Sequence, residues 1–314
     1  MKIIISGISG QDGHFLARHL CKQGHQVVGL TRDIGRASSF VDSLTRRRVK
    51  VLHCSYDEIS IFKILKAENP HAVINLAGQA YVAKSWLMQD ETLRSIAQIP
   101  QYFLEAILAA NPKIRFIQAS SSQIFAPSSQ LLKETSSIGP TSPYGCAKTY
   151  AHFLVKNYRE THGLFAANAV LFNHESPRRN PDFFCQKIVQ GALKVKKGEL
   201  KKLTLGNLEL VRDMGCADEF MDALSRMAMM DRADDYNICT GRGTKLRDLV
   251  SFVFSQLGLS TKGRIHLDRT QIRRAEPPRI VGDPRKIYQN LGWKPRQRIE
   301  AVLAAMVRHA QENG

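Results

Sequence analysis

The chain has 314 residues, of which 43% are hydrophobic and 23% are charged, so it can bury a sizeable core and is not intrinsically disordered. The formal net charge is +17, but the basic clusters at residues 46–48 and 194–202 lack interleaved aromatic side chains, and we expect them to be solvated faces that bind no nucleic acid. Because no apolar run approaches the roughly 18 residues of a spanning helix and no signal-peptide pattern is present, we expect a cytoplasmic protein that does not bind membranes.

The six cysteines are scattered along the chain and never form a close pair. Zinc sites and disulfide frameworks use recurring, closely spaced cysteines. We therefore expect free thiols and no metal site.

Short apolar runs alternate with helical segments through the first half of the chain. The predicted strands are residues 2–6, 26–30, 49–52, 72–76, 115–119 and 164–171. The predicted helices are residues 13–23, 58–68, 91–110 and 143–161. Strands that alternate with crossover helices form a parallel sheet, so an α/β fold with a doubly wound sheet is predicted.

The alternation becomes irregular beyond about residue 175. We therefore predict that residues 1–172 form mainly the nucleotide-binding sheet. Residues 173–314 are predicted to form mainly a smaller, mixed substrate-binding part, with segments that return to the sheet.

A glycine-rich turn follows the first predicted strand and opens the first helix. Three glycines at a spacing of three permit a tight turn and the close approach of a pyrophosphate to the helix N-terminus. This pattern is typical of the Rossmann dinucleotide-binding turn, although an ordinary strand–helix turn can look the same. The candidate cofactor residues of this turn are Gly7, Ser9, Gly10, Gln11, Asp12 and Gly13.

The end of the second predicted strand bears on the choice of dinucleotide. An acidic residue there meets the ribose hydroxyl of NAD(H), whereas an arginine meets the 2′-phosphate of NADP(H). Arg32 comes first in this chain, with Arg36 close behind, so we predict NADP(H). Asp33 keeps NAD(H) open as the alternative, because a carboxylate one residue on could hold a ribose hydroxyl.

Tyr144 and Lys148 are four residues apart in a predicted helix and therefore share one face. An ammonium group beside a phenol lowers the tyrosine pKa, which makes Tyr144 a candidate general base toward a substrate hydroxyl. Tyr144 and Lys148 are also predicted to bind the cofactor. Ser121 belongs to a serine run just beyond the fifth predicted strand, at the sheet edge where doubly wound folds hold ligands. A surface pair can have the same spacing, but the glycine turn, the serine run and this pair in that order are more specific.

This constellation resembles the extended short-chain dehydrogenase/reductase superfamily and, within it, the GDP-mannose 4,6-dehydratase family. The resembling stretches are residues 10–13, 118–122, 140–145, 171–179, 205–208, 212–215 and 292–296. The resemblance implies that Ser121 is the catalytic hydroxyl, Tyr144 the base and Lys148 the catalytic lysine. It also implies a GDP-sugar held by Asn173, Lys187, Gly206, Asn207, Arg212, Arg273 and Glu276.

The same resemblance bears on assembly. The loop around residues 32–40 is shorter than the loop that reaches a neighbouring subunit in the dehydratases. We therefore expect a homodimer through the helices near residues 91–110 and 143–161, and leave a tetramer open.

Gln123 departs from the family pattern, because the dehydratases carry a catalytic glutamate two residues after the catalytic hydroxyl. That glutamate takes the C5 proton of the sugar and helps to protonate the departing C6 hydroxyl. An amide can donate and accept hydrogen bonds but cannot act as this base. Oxidation at C4 needs only the tyrosine, the lysine, the hydroxyl and the cofactor, so we predict redox chemistry at C4 with slow or absent loss of water.

Three further functions stay open. A GDP-4-keto-6-deoxy-sugar reductase and a GDP-sugar epimerase both dispense with a base at position 123. A non-catalytic relative would hold a nucleotide or nucleic acid through its positive surface, but the presence of Tyr144 and Lys148 counts against it.

Overall fold

The computed structural model describes residues 1–40, 48–268, 270 and 275–313 of the chain. The strands are β1 (Lys2–Ser6), β2 (Gln26–Thr31), β3 (Val49–His53), β4 (Ala72–Asn75), β5 (Arg115–Ser121), β6 (Ala166–Leu171), β7 (Asn173–Glu175), β8 (Leu203–Leu205), β9 (Val211–Cys216), β10 (Tyr236–Ile238), β11 (Gly243–Lys245), β12 (Ile265–Leu267) and β13 (Arg279–Ile280). The α-helices are α1 (Gln11–Lys22), α2 (Ile34–Phe40), α3 (Glu58–Glu68), α4 (Gln89–Leu93), α5 (Ile99–Ala110), α6 (Pro143–His162), α7 (Phe184–Lys196), α8 (Ala217–Met227), α9 (Leu246–Gln256), α10 (Arg285–Leu291) and α11 (Ile299–Glu312).

The main sheet has seven strands in the order β10-β6-β5-β4-β1-β2-β3, and every neighbouring pair is parallel. Its central strands are apolar on both faces, which is typical of a sheet covered by helices on both sides. In β1, Ile3 and Ile5 pack in one core layer with α1 and α8. Ile4 packs in the opposite layer with α3, α5 and α6. The predicted α/β fold with a doubly wound parallel sheet is therefore confirmed.

The second half of the chain builds smaller sheets beside the main one. β9 lies between β11 and β13 and also pairs with β7, while β12 pairs with β8. Helices α7, α9 and α11 enclose a separate apolar core against these strands. β10 leaves this region and adds a parallel strand to β6. The proposed division near residue 172 stays a prediction.

The segment predicted as one helix over residues 91–110 is interrupted. A π-helical turn, Arg94–Gln98, separates α4 from α5. Pro100 lacks an N–H group and cannot donate to the carbonyl four residues earlier, which explains the change of hydrogen-bond pattern here. The turn brings the Ser95 hydroxyl 3.2 Å from the backbone nitrogen of Gln79, which follows β4.

Within the described residues, no helix is long and apolar enough to cross a membrane. All six cysteines fall in the described ranges and are free thiols. The described side chains contain no group of three or more His, Cys, Asp or Glu arranged to hold a metal ion.

Candidate active site

A cavity of about 580 Å³ opens at the carboxyl edge of the main sheet. Its inner wall is formed by residues that follow β1, β4, β5 and β6, and its outer wall by β7, α7 and the segment between β8 and β9. Ten of the candidate catalytic and substrate residues line it: Ser121, Gln123, Tyr144, Lys148, Asn173, Lys187, Gly206, Asn207, Arg212 and Glu276. Arg273, the remaining candidate, lies outside the described residues.

The glycine-rich turn leads from β1 into α1. Gly7 has φ +76°, a left-handed conformation that favours glycine. A Cβ atom on Gly13 would lie 2.6 Å from the Gly7 carbonyl oxygen, so the turn is closed too tightly for any larger residue there. Gly10 precedes α1 without a side-chain cap, which leaves the first N–H groups of the helix to an anion. The turn therefore fits the diphosphate of a dinucleotide.

Asp12 lies in the lining of the cavity, whereas the lining does not include Gly7, Ser9, Gly10, Gln11 or Gly13, which precede or follow it in the same turn. Their position agrees with a cofactor that enters over the turn and extends into the cavity.

The residues that could distinguish NADP(H) from NAD(H) lie directly after β2. Arg32 is exposed. The Asp33 carboxylate accepts a hydrogen bond from the Arg36 backbone nitrogen at 2.9 Å, and its backbone carbonyl accepts one from Ala37 at 3.1 Å. Asp33 thus caps the start of α2.

Tyr56 is a residue of this edge that sequence reasoning missed. Its hydroxyl donates to the Leu30 carbonyl oxygen at 2.8 Å and accepts from the Gly7 backbone nitrogen at 3.0 Å. It therefore links the glycine turn to the end of β2. A single tyrosine after β3 belongs to no motif, so no sequence signal could have identified this role.

Helix α6 places Tyr144 and Lys148 in the cavity wall. Ser142 caps the helix by accepting from the Gly145 backbone nitrogen at 3.1 Å. Both side chains are buried, and the Lys148 Nζ atom lies 5.8 Å from the centre of the Tyr144 ring. Lys148 donates to the Ala119 carbonyl oxygen at 2.6 Å, and the Ser121 hydroxyl is close enough to Tyr144 to act on its pKa. The structure thus brings together Ser121, Tyr144 and Lys148, the three side chains that the sequence predicted to act together.

The direction of the tyrosine pKa differs from our expectation. Burial raises the pKa of Tyr144, although the hydrogen bond with Ser121 and the charge of Arg179 oppose that shift. Burial also lowers the pKa of Lys148 to about 8, opposed by the Asp12 carboxylate. The expectation that Lys148 lowers the tyrosine pKa was wrong for this arrangement, because the ammonium group is directed at Ala119 and burial dominates.

A charged cluster in the cavity wall was also missed from the sequence. His174 Nε2 is 3.0 Å from Asp12 Oδ2, and Arg179 Nε is 3.5 Å from Glu175 Oε2. Although burial opposes the shift, the charge of His174 holds the pKa of Asp12 well below its usual range. Burial raises the pKa of Glu175. The cluster joins the glycine turn to β7.

The candidate substrate residues surround the outer part of the cavity. Asn173 lies on β7, Lys187 on α7 and Arg212 on β9. Arg212 is buried, and its Nη2 atom is 2.9 Å from Glu276 Oε1. Two residues proposed separately for one ligand thus form an ion pair, which fixes the guanidinium group in the cavity wall.

Gln123 occupies the wall between the main cavity and a second cavity of about 250 Å³. It lies in a short 3-10 turn, Ser122–Ile124, immediately after β5. Its backbone nitrogen donates to the Ser121 hydroxyl at 3.3 Å. Position 123 is therefore directly beside the Ser121 hydroxyl, where the family pattern calls for a carboxylate.

Known proteins resemble the chain over nearly its whole length. A family model described as GDP-mannose 4,6 dehydratase matches residues 4–306. GDP-mannose 4,6 dehydratase 2 of Arabidopsis thaliana is 34% identical over 97% of this chain and 85% of its own length. The GDP-mannose 4,6-dehydratase of Vibrio cholerae is 33% identical over 98% of this chain and 92% of its own length.

Solved structures share the fold at lower identity. DesIV, a dTDP-glucose 4,6-dehydratase from Streptomyces venezuelae solved with NAD and TYD, has a TM-score of 0.88 at 21% identity, covering 100% of this chain and 98% of its own. The UDP-glucuronic acid 4-epimerase of Bacillus cereus, solved with UDP-glucuronic acid and NAD, has a TM-score of 0.88 at 21% identity, covering 100% of both chains.

The lowered pKa of Lys148 generates a prediction about stability. Because the folded state holds this proton less tightly than the unfolded chain, the Lys148 contribution to the free energy of unfolding rises as pH rises from about 8 toward 10.5. We expect Lys148→Met to lose this rise, so that the wild type gains about 2 kcal/mol relative to the variant between pH 7.5 and 10. Urea unfolding at both pH values measures the difference. Lys156→Met, on the exposed face of α6, should keep the wild-type dependence, and the same dependence in Lys148→Met would contradict the prediction.

Proposed function

The chain belongs to the GDP-mannose 4,6-dehydratase family of the extended short-chain dehydrogenase/reductase superfamily, and on that premise we propose that it is an NADP-dependent enzyme that modifies a GDP-sugar at carbon C4. The observation that carries this proposal is the meeting of Ser121, Tyr144 and Lys148 in one cavity with Gln123 at the position of the family glutamate. The first three supply what C4 chemistry needs, and the fourth removes what loss of water needs.

The reaction at C4 divides its work among these side chains. The nicotinamide, when bound, accepts a hydride from C4 or returns one to it. Tyr144 takes the proton of the C4 hydroxyl in the oxidising direction and donates it to the C4 ketone in the reducing direction. Ser121 lines the same wall beside Tyr144 and would orient the same sugar oxygen. Lys148 places an ammonium group in the same cavity wall, where its donation to the Ala119 carbonyl oxygen holds it.

The outer cavity supports a nucleoside diphosphate sugar as the substrate. Arg212 and Lys187 contribute positive charge near a diphosphate, which accepts charge-assisted hydrogen bonds. Glu276 orients Arg212 through their ion pair and can accept from ribose hydroxyls or from the donor edge of guanine. The guanine preference itself comes from the family, and Asn173, Gly206 and Asn207 occupy the positions of its GDP-sugar residues.

The alternatives differ in which half of the chemistry they use. A GDP-4-keto-6-deoxy-sugar reductase is the second candidate, because it needs Tyr144 only as a proton donor to a C4 ketone and needs no base at position 123. A GDP-sugar epimerase also needs only C4 chemistry. A non-catalytic relative would show salt-sensitive binding without turnover.

The cofactor proposal is NADP(H), with NAD(H) as the alternative that the related structures contain. Arg32 is exposed beside the end of β2, where a 2′-phosphate would lie. Asp33 is the competing ligand for a ribose hydroxyl, but its carboxylate accepts from the Arg36 backbone and caps α2. The cation is therefore the better placed of the two side chains.

The cofactor prediction concerns Arg32. We expect Arg32→Ala to weaken NADPH binding about tenfold, because a charge-assisted hydrogen bond to a phosphate contributes roughly 1.5–3 kcal/mol. NADH binding should change little, which makes it the internal control. Calorimetric titration of both coenzymes measures the two affinities. Equal or tighter binding of NADH by the wild type would move the assignment to Asp33 and NAD(H).

The assembly proposal is a homodimer through α4, α5 and α6. These helices leave large apolar side chains exposed: Leu93 at 52%, Tyr150 at 47% and Phe153 at 45%. Several large apolar side chains exposed on neighbouring helices are a common feature of protein interfaces.

We expect the wild type to sediment as a dimer and Phe153→Glu to sediment as a monomer, since a buried unpaired carboxylate opposes association. Sedimentation velocity provides the measurement. Leu267→Glu is the matched control, because Leu267 is 52% exposed on β12, away from the proposed interface. A monomeric wild type, or a dimer that tolerates Phe153→Glu, would overturn this proposal.

The last prediction of this section tests Gln123. We expect the wild type to convert GDP-mannose to the 4-keto-6-deoxy product slowly or not at all, and Gln123→Glu to raise that rate by about 10²–10⁴-fold, the usual contribution of a positioned general acid or base. Product analysis by mass spectrometry and NMR measures both rates.

Gln130→Glu is the matched control, since it makes the same chemical change at an exposed position. Rapid dehydration by the wild type would refute the prediction. A gain confined to Gln123→Glu would support it and make a GDP-4-keto sugar the better substrate for the natural protein.

A further inference from the structure

The Asp12–His174 pair has no part in the proton transfers described above, yet it lines the same cavity. His174 Nε2 lies 3.0 Å from the Asp12 carboxylate, and His174 Nδ1 lies 2.7 Å from the Phe172 carbonyl oxygen. Both ring nitrogens therefore face acceptors that carry no hydrogen of their own. This arrangement is satisfied when both nitrogens are protonated, so the pair is an imidazolium against a carboxylate.

The two segments joined by this ion pair are also joined by neutral hydrogen bonds. The Ser176 hydroxyl donates to Gln11 Oε1 at 2.7 Å, and Gln11 Nε2 lies 3.5 Å from the His174 carbonyl oxygen. These neutral hydrogen bonds hold the glycine turn against the chain after β7 even without the Asp12 and His174 charges. Burying two charges carries a desolvation cost, so their presence in the wall points to an electrostatic use.

The pair acts on the reaction centre through space. The Asp12 carboxylate shifts the pKa of both Tyr144 and Lys148, which lie in the same wall. Charges in a buried wall are weakly screened and act over several ångströms. A hydride can pass only to a ring held against the sugar carbon whose oxygen meets Tyr144. The nicotinamide must therefore come within the field of the same pair.

We propose that Asp12 and His174 together set the relative affinity of the protein for the oxidised and reduced forms of its nicotinamide coenzyme. The oxidised ring carries a positive charge and the reduced ring is neutral. Asp12 alone would favour the oxidised ring, and the imidazolium of His174 cancels much of that attraction. Arg179, the next cation of the cluster, limits the imbalance when His174 is absent. This inference rests on the proposed function, because it requires a bound nicotinamide coenzyme.

The test compares equilibrium binding rather than turnover. The dissociation constants of NADP⁺ and NADPH, or of NAD⁺ and NADH if those bind more tightly, are measured by calorimetry at pH 7 and expressed as the oxidised-to-reduced ratio. We expect His174→Gln to lower this ratio about tenfold, because the uncompensated Asp12 carboxylate attracts the cationic ring. The double variant Asp12→Asn/His174→Gln removes both charges and should return the ratio to within about threefold of the wild type.

His19→Gln is the matched control. His19, on α1, also pairs with an aspartate, because its Nε2 atom lies 2.9 Å from Oδ1 of Asp218 on α8. Neither residue of that pair lines the cavity. The oxidised-to-reduced ratio of His19→Gln should equal that of the wild type. If His174→Gln weakens both coenzyme forms by the same factor, the pair is only structural and the inference fails. If the wild type binds neither coenzyme form, it is the proposed function that fails.

Discussion

Every strand of the main sheet runs in the same direction, and this constraint decides where the chemistry can occur. The carboxyl ends of β1, β4, β5 and β6 must then meet at one edge, because parallel neighbours keep their ends in register. The glycine turn and the segment that begins with Asn173 each follow one of these strands, and the serine run begins within the last residues of β5. Residues far apart in sequence thereby come to one cavity without any long loop.

The outer wall depends on how the second half of the chain is attached to this sheet. β10 pairs with β6, and the Asp235 carboxylate just before it accepts two hydrogen bonds from Arg159 of α6, at 2.8 and 3.1 Å. The same carboxylate accepts from the backbone nitrogen of Asn168 in β6 at 2.9 Å. This buried ion pair also satisfies a backbone N–H group of β6. A shift of β10 along β6 would leave a buried charge without its partner, so the ion pair fixes the position of β10. This attachment helps to position the sheet around β9, which carries Arg212.

Local patterns in the sequence were enough to predict the parallel sheet and the nearness of Tyr144 to Lys148. Alternating apolar runs and helical segments predict a parallel sheet, and residues four apart in a helix share one face. The contact of Asp12 with His174 joins residues 162 positions apart, and the pairing of Arg212 with Glu276 spans 64. Packing of whole helices and strands brings such partners together, and no local sequence pattern predicts that packing.

The direction of the Tyr144 pKa was missed for the same reason. The sequence reveals that a lysine is near, but not that the lysine is directed at the Ala119 carbonyl or that the phenol is almost fully buried. Burial depends on helices and loops from the entire chain. An expectation built on one neighbour therefore gave the wrong sign.

Position 123 shows why resemblance over nearly the whole chain does not determine the net reaction. The family reaction joins two separable tasks, hydride exchange at C4 and proton transfer at C5, and different side chains perform them. In the function proposed above, Tyr144, Lys148 and Ser121 serve the first task, and they are positioned by α6 and β5, which are parts of the fold itself. In the family pattern the second task depends on one carboxylate, at the position that Gln123 occupies in this chain on a 3-10 turn after β5. Replacing that carboxylate by the amide of Gln123 preserves size and hydrogen bonding but removes proton affinity. One substitution can thus remove the second half of a reaction while every element that performs the first half stays in place.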